Sequence, residues 1–173
     1  MLETDGMDIN FKVIATQQPV FYNNGMDEGY YEISFRADAS HGYAPKTNIN
    51  KDLIGVSPTS SSRNFTIQNL SNCKKRYYPI IEVELGDTET SFKIENLSNG
   101  YAMEFTSLSG GEKLYGEKLY IDGTNDIIVS SLDLNRLPNL TNLEFFNLSY
   151  GSNNIKVTGD VDIKFIVEYP IVI

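Results

Sequence analysis

Apolar and polar residues alternate with a period of two along much of the chain. Such alternation is typical of strands that bury one face and leave the other in water, as strands of antiparallel sheets do. In residues 161–169, for example, Val161, Ile163 and Phe165 alternate with polar residues, and Ile166 is the one exception. The pattern predicts strands over 9–16, 30–37, 80–85, 91–97, 101–106, 118–121, 126–130, 154–158 and 161–169.

Turn sequences separate these segments. Asn99-Gly100 and Asp122-Gly123 are typical of two-residue hairpins, because Asn, Asp and Gly tolerate positive φ angles. Gly86-Asp87 and Gly159-Asp160 are predicted to reverse the chain in the same way. Strands spaced by about ten residues, with turns between them, predict an all-β fold, an antiparallel β-sandwich. The segment 133–142 is the best helix candidate, and Pro138 limits it to one short helical turn.

The chain is predicted to contain three parts. Residues 1–40 hold two strand patterns and are predicted to form an N-terminal strand pair. Residues 41–63 include Pro45, Pro58 and the serine-rich run 57–62, which together predict a linker or an extended loop. Residues 64–173 carry the denser strand pattern and are predicted to be the sandwich domain.

Charge argues against several classes of partner. The 173 residues include 23 acidic and 14 basic side chains, for a formal net charge of -9. An acidic surface repels nucleic-acid phosphates and anionic lipid headgroups, and the longest basic cluster is only Lys74-Lys75-Arg76. The chain also has no apolar run long enough to cross a bilayer and no secretory signal pattern. We therefore expect no nucleic-acid or membrane partner. The single cysteine, Cys73, fits synthesis in a reducing cytoplasm.

Asparagine is frequent and creates five glycosylation sequons. They lie at Asn64, Asn69, Asn96, Asn139 and Asn147. Sequons matter only in secreted eukaryotic proteins, and no signal peptide is visible. We therefore attribute the asparagines to the codon bias of an AT-rich bacterial or phage genome.

Few residues are suited to nucleophilic or metal chemistry. A catalytic triad or a zinc site needs histidine, and His41 is the only one. Cys73 is the only cysteine, which excludes an internal disulfide. Its neighbours Lys74 and Lys75 could activate the thiol, but an incidental thiol is the simpler interpretation. We predict no catalytic residue, no metal site and no cofactor.

Two acidic clusters have alternative interpretations. Glu82, Glu84 and Asp87 lie in a strand pattern that loosely resembles the E-x-D-x-x-E motif of laminarinase-type β-sandwich glycosidases. Alternate strand residues are about 6.5–7 Å apart, a spacing that suits a glycosidase carboxylate pair. Those enzymes line their clefts with tryptophan, which this chain lacks, so a solvated sheet face is the favoured interpretation.

The second acidic cluster is the loop that contains Asp122, Asn125 and Asp126. Its oxygen-rich side chains could suggest calcium, but Ile127 and Asp133 stand where an EF-hand loop has Gly and Glu. A hairpin turn explains the same residues. Six tyrosines could also stack on sugars or anchor a partner, although no spatial order is evident from the sequence. They are Tyr22, Tyr30, Tyr43, Tyr77, Tyr78 and Tyr150.

The order of elements resembles the C-terminal half of distal tail proteins from long-tailed, siphovirus-type bacteriophages. The resemblance begins at GYYEISFRADASHGYAP (29–45), continues through YYPIIEVEL (77–85), and includes SFKIENLSNGYAMEFTSLSGGEKLYGEKLYIDG (91–123). It ends with a predicted turn at 151–154, followed by Ile155, Val157 and Gly159, before the last strand. In that family this half is a galectin-like sandwich of the jelly-roll type, and the N-terminal half forms a hexameric ring under the tail tube.

The resemblance implies a structural tail-tip or baseplate component of a phage or prophage, located in the virion tail. Such a protein would act as an assembly and adaptor domain for the receptor-binding machinery. Its implied partners are the tail tube, a tail-associated lysin or receptor-binding protein, and further copies of itself. Family members have a longer N-terminal domain, so the resemblance implies that residues 1–40 are a remnant of the ring-forming domain. We accordingly expect this chain to be a fragment, a split gene product or a C-terminal domain.

Two other functions remain open at this stage. The first is a carbohydrate-binding module that attaches the phage to the host cell wall. The second is a glycosidase that uses Glu82 and Glu84. Galectins bind sugars with an ordered set that includes tryptophan, so that set is incomplete here. No substrate-binding residue is identified from the sequence.

Overall fold

A computed structural model describes residues 8–23, 25, 28–73, 75–86, 91–108 and 116–172. The chain forms two compact units. We call Lys46–Tyr169 the sandwich unit, and Met1–Pro45 together with Pro170–Ile173 the ribbon unit. Fifteen strands, β1 to β15, lie in the described residues.

The sandwich unit contains two antiparallel sheets. The five-stranded sheet has the order β12-β11-β8-β14-β6 and is formed by Ile127–Ser130, Lys118–Asp122, Ile80–Leu85, Val161–Val167 and Thr47–Lys51. The four-stranded sheet has the order β10-β9-β13-β7 and is formed by Tyr101–Phe105, Phe92–Asn96, Gly151–Thr158 and Asn64–Asn69. The predicted all-β antiparallel sandwich is confirmed.

The core lies between the buried faces of these sheets. Strand alternation produces it, because every second side chain of β8, β9 and β13 points away from solvent. Phe65 of β7 meets Phe165 of β14 with ring centroids 6.0 Å apart. The largest fully buried side chains include Phe92, Phe105, Phe146, Phe165, Ile81, Leu85, Ile94 and Met103.

The predicted chain reversals at Asn99-Gly100 and Asp122-Gly123 are present, but each hairpin loop has four residues, 97–100 and 123–126, and not the predicted two. Asn99-Gly100 joins β9 to β10 and Asp122-Gly123 joins β11 to β12, in both cases between strands paired in one sheet. Gly159-Asp160 joins β13 to β14, which lie in different sheets, so it is a crossing between layers and not a hairpin. Strands β8 and β9, on either side of Gly86, also lie in different sheets. Asp87 itself is outside the described residues.

A second correction concerns residues 151–154, which were predicted to be a turn. They form the start of β13 and pair with residues 66–69 of β7. The polar sequence misled the prediction because Asn153 faces inwards and is fully buried. Its amide is satisfied by hydrogen bonds, which allow a polar residue to occupy a core position.

Part of the stretch predicted to be a linker or extended loop is a strand. β6, Thr47–Lys51, pairs with β14 at the edge of the five-stranded sheet. The following residues 53–63 are held by the buried Arg63, whose guanidinium donates to the backbone oxygens of Leu53, Val56 and Ser57. The division of the chain at residues 40 and 64 stays a prediction.

Helical structure in the described residues is limited to 3-10 turns. The turn Leu137–Asn139 lies inside the predicted segment 133–142 and has Pro138 in its first positions, where a proline is tolerated. A second turn, Ser61–Arg63, was not predicted. In this part of the chain no helix has the length and apolar character needed to cross a membrane.

The ribbon unit consists of two-stranded antiparallel ribbons. Val13–Ala15 (β1) pairs with Phe35–Ala37 (β4), and Val20–Asn23 (β2) pairs with Gly29–Glu32 (β3). Gly42–Tyr43 (β5) pairs with Pro170–Ile171 (β15). The segment 30–37, predicted to be one strand, is therefore two strands with different partners.

The prediction that each strand buries one face is wrong for β1 to β4. All of their residues are exposed, including Tyr31 at 68% and Phe35 at 60% of the full residue surface. Two-stranded ribbons provide no second layer, so alternation in the sequence does not lead to burial within this unit.

Candidate functional site

The carboxylates considered for glycosidase chemistry lie on the solvent face of the five-stranded sheet. Glu82 and Glu84 share that face of β8, and each is half-exposed and paired with a lysine of a neighbouring strand. Glu82 Oε2 lies 2.9 Å from Lys164 Nζ, and Glu84 Oε2 lies 3.2 Å from Lys118 Nζ. Such cross-strand ion pairs are common on exposed sheet faces. The structure thus agrees with the favoured prediction that Glu82 and Glu84 lie on a solvated sheet face.

Within the described residues, His41 and Cys73 do not belong to a cluster of reactive side chains. The His41 ring packs edge-on against Tyr43, with centroids 4.9 Å apart, in the ribbon unit. Cys73 is half-buried in the sandwich unit, and its backbone N–H donates a hydrogen bond to Ser71 Oγ. Lys74 lies outside the described residues. Among those residues, no group of three or more His, Cys, Asp or Glu side chains has the geometry of a metal site.

The acidic loop after β11 is a hairpin turn held by its own side chains. Asp122 Oδ1 accepts the N–H groups of Thr124 and Asn125, and Asp122 Oδ2 accepts the Asn125 amide. Asp126 has a φ of 56° and supplies the left-handed residue of the turn. The side chains of Asp122 and Asn125 and the backbone of Asp126 thus have roles in the turn.

The six tyrosines do not form one cluster. Tyr22 and Tyr30 stack with centroids 4.9 Å apart in the β2–β3 ribbon, while Tyr43 lies under the ammonium group of Lys12. Tyr77 packs against Tyr169 in the sandwich unit and accepts the N–H of Glu168. Tyr78 lies beside Gly123, and Tyr150 is exposed.

The β2–β3 ribbon exposes aromatic side chains on both of its faces. Tyr22 and Tyr30 are a cross-strand pair on one face, and Phe21 and Tyr31 are a cross-strand pair on the other, with centroids 4.8 Å apart. The four side chains are 42% to 68% exposed. Large exposed apolar surfaces mark sites of protein association. Sequence alternation alone could not reveal this surface, since it predicted burial of one face.

Asparagine has a structural role that the sequence did not reveal. Asn96 Nδ2 donates to Asn153 Oδ1 and to the Asn147 backbone oxygen, at 2.8 and 2.9 Å. Asn153 also accepts the N–H of Ser149, and Asn69 donates to the Ser149 oxygen. The four asparagines are at most 1% exposed. Codon bias is thus an incomplete explanation, because the sequon residues 69, 96 and 147 belong to a buried network.

A buried ion pair fixes the segment after β12. Arg136 and Glu117 are almost fully buried, with Nη2 2.6 Å from Oε2 and Nε 2.9 Å from Oε1. Ser130 donates a further hydrogen bond to Glu117. Two hydrogen bonds join the Arg136 guanidinium to the Glu117 carboxylate. Each buried charge is therefore compensated by an opposite charge, without which its burial would be costly. Both residues therefore have structural partners and do not form an open site.

Comparison with known proteins gives the family. Residues 41–167 match the family described as phage tail C-terminal domain. No curated protein matches the chain. Among solved structures, the fold is similar to the Dit protein of phage SPP1, which is described as a paradigm of the hub adsorption apparatus in phages that infect Gram-positive bacteria. The TM-score is 0.55 at 12% identity.

That likeness covers 88% of this chain and 58% of the SPP1 protein, so this chain spans less than two thirds of that relative. At this identity the comparison shows a shared fold, and the family match gives the biological context. The predicted resemblance to phage distal tail proteins is confirmed at the level of the family. The chain belongs to the phage tail C-terminal domain family and is a phage tail component.

Proposed function

We propose that the protein is an assembly and adaptor domain of a phage or prophage tail tip, which connects the tail tube to the receptor-binding machinery. The single observation that carries this proposal is the family match over residues 41–167. The shared fold with a hub protein of the SPP1 adsorption apparatus supports it. The protein is made in the host cytoplasm and enters the virion tail during assembly. Its role is structural and not enzymatic.

The ribbon unit supports the assembly role. In a monomer, the paired rings Tyr22–Tyr30 and Phe21–Tyr31 leave large apolar areas in water. Removal of apolar surface from water is favourable by about 25 cal/mol per Å², so a partner that covers these rings gains a favourable contribution from them. The proposed partners are further copies of the chain. We expect them to form a hexameric ring, as phage distal tail proteins do.

The sandwich unit supports the adaptor role through its rigidity. The buried Asn96–Asn153 hydrogen bond and the Arg136–Glu117 pair fix loops at defined positions on the two sheets. A rigid scaffold lets its loops present a constant surface to a tail-associated lysin or a receptor-binding protein. The acidic net charge of -9 keeps free subunits soluble before assembly.

A light-scattering experiment tests self-association. We expect the purified chain to form oligomers in size-exclusion chromatography with multi-angle light scattering, and the double variant Phe21→Ser/Tyr31→Ser to be a monomer. Tyr150→Ser is the matched control, since Tyr150 is equally exposed but lies in the sandwich unit. Circular dichroism establishes that each variant is folded. A wild-type monomer at all concentrations, or an equal loss in the control, contradicts assembly through the ribbon.

A further inference from the structure

The outer face of the five-stranded sheet carries a groove whose residues play no part in the self-association proposed for the ribbon unit. It encloses about 610 Å³, within the range of about 300–1,000 Å³ that is typical of small-ligand sites. Strands β6, β8, β11, β12 and β14 all contribute side chains to it. The groove lies entirely within the sandwich unit.

One row of side chains crosses the groove from edge to edge. Strand register places Val129 opposite Tyr120, Tyr120 opposite Glu82, Glu82 opposite Lys164, and Lys164 opposite Asn50. Five strands at about 4.8 Å spacing make this row about 19 Å long. The apolar surface lies at one end, where Tyr120 and Val129 are 37% and 52% exposed.

The polar members of the row can bond to a ligand. The Lys164–Glu82 pair is half-exposed, so its remaining donor and acceptor positions reach solvent. Neither the Tyr120 hydroxyl nor the Asn50 amide makes a hydrogen bond to another residue of the described chain. Planar amide and carboxylate groups beside an aromatic ring provide donors, acceptors and an apolar platform together.

The charge of the groove selects between ligand classes. A second row adds Lys118, Glu84 and Asp162, and Asp52 also lines the groove. Four carboxylates and two ammonium groups give the described lining a net charge of -2, which disfavours phosphorylated or carboxylated ligands.

We propose that this groove binds an oligosaccharide that is uncharged or carries amino groups. The Tyr120 ring contacts an apolar face of a sugar, and Asn50, Glu82 and Lys164 bond to its hydroxyl or amino groups. Such a site would give the tail component a contact with a surface glycan that is independent of assembly through the ribbon unit. The proposed binding is non-covalent.

The test is a titration of ¹⁵N-labelled full-length protein followed by amide chemical shifts. The probes are tetra-N-acetylchitotetraose and cellotetraose as neutral ligands, deacetylated chitotetraose as the amino-bearing ligand, and tetragalacturonate as the acidic ligand. We expect a neutral or amino-bearing probe to shift residues of β8, β11 and β14. Binding of tetragalacturonate alone, shifts confined to other surfaces, or no shift with any probe at millimolar concentration would overturn the proposal.

Variants give a second readout. Tyr120→Ala and Lys164→Ala are each expected to weaken binding of the responding probe by about tenfold. Lys156→Ala is the matched control, because Lys156 is a half-exposed lysine on the four-stranded sheet. We expect this variant to bind the probe with the same affinity as wild type. Amide spectra of the free variants establish folding. Equal affinities for wild type and both groove variants would contradict the proposal even if a sugar binds.

Discussion

Tyr77 and Tyr169 pack against each other in the sandwich unit with ring centroids 5.0 Å apart, but only one hydroxyl has a clear role. Tyr77 Oη accepts the N–H of Glu168 at 2.7 Å. The Tyr169 hydroxyl is buried and has no hydrogen-bond partner in the described part of the chain. An unsatisfied buried polar group lowers stability, whereas a made hydrogen bond raises it.

This difference predicts opposite effects of the same chemical change. Tyr169→Phe removes the unsatisfied hydroxyl and is expected to raise the free energy of unfolding by about 1 kcal/mol. Tyr77→Phe removes the acceptor for Glu168 and is expected to lower it by about 1 kcal/mol. Urea denaturation of the three proteins measures both changes. A destabilised Tyr169→Phe variant would show that its hydroxyl has a partner in the folded protein.

Burial also gives Tyr169 a role in the alkaline stability of the protein. Burial, with a smaller effect of Tyr77, raises the pKa of Tyr169 well above its ordinary value of about 10. The folded state therefore favours the neutral phenol. The stabilisation from this group is complete below the unfolded pKa and is lost as the pH rises towards the folded pKa.

We accordingly expect the free energy of unfolding to fall above about pH 10, and to fall less steeply in Tyr169→Phe. Denaturation curves between pH 8 and 11 measure the two slopes. Tyr150→Phe is the control for removal of a tyrosine hydroxyl from an exposed position. Identical slopes in wild type and Tyr169→Phe would contradict the effect of burial.

The Arg136–Glu117 pair provides a further prediction for single residues. Arg136→Met leaves the Glu117 carboxylate buried without its counter-charge and is expected to cost about 3–5 kcal/mol. The double variant Arg136→Met/Glu117→Gln removes both charges and keeps an acceptor for Ser130, so it should recover most of that loss. A double-mutant cycle by urea denaturation gives the coupling. If the losses of stability in the two single variants add up in the double variant, the two charges do not stabilise each other.

At the level of elements, crossings between the two sheets constrain the fold more than the hairpins do. Gly159 lies in the β13–β14 crossing with a φ of +108°, and a Cβ there would lie 2.8 Å from the Phe92 Cβ and 2.9 Å from the Ser91 oxygen. Gly100 lies in the β9–β10 hairpin with a φ of +77° and has open space around its Cα. The two glycines thus differ in packing more than in backbone conformation.

We expect Gly159→Ala to lower the free energy of unfolding by about 2–3 kcal/mol, because backbone strain and a steric clash add together. Gly100→Ala should cost about 1 kcal/mol, because only the conformational penalty applies. Thermal or urea denaturation compares the two variants. Equal losses would mean that the chain between the sheets can move to accept a Cβ.

Several elements could be predicted from the sequence because local rules determine them. β8, β9 and β14 have clear alternation, and the Asn99-Gly100 hairpin has the turn residues that its backbone needs. β7 was missed because its sequence, NFTIQN, is mainly polar. Its last residue, Asn69, is buried by virtue of distant hydrogen-bond partners, which no local pattern can reveal.

The candidate sites were less predictable than the fold. The solvent position of Glu82 and Glu84 followed from strand alternation, but their lysine partners depend on which strands are neighbours. The groove around Tyr120 likewise requires five strands in one register, and strand order is a property of the tertiary structure. In the ribbon unit, alternation was present without burial, because burial requires a covering layer that the sequence does not specify.

At the level of the whole molecule, the two units have different physical characters. The sandwich unit buries its apolar residues between two sheets and also satisfies several buried polar groups, so it is expected to fold as a stable scaffold. The ribbon unit leaves Phe21, Tyr30 and Tyr31 in water, which is a property of surfaces that become covered in assemblies. Together with the family match, this difference supports a subunit of a larger tail structure.

The most direct test of this account is the position of the protein in tail particles. Antibodies raised against the purified chain would be used for immunogold electron microscopy of particles induced from the source strain, with pre-immune serum as the control. The account predicts label at the distal end of the tail. Intact particles that carry no label there, although the antibody detects the protein in blots of the producing cells, would contradict a structural role at the tail tip.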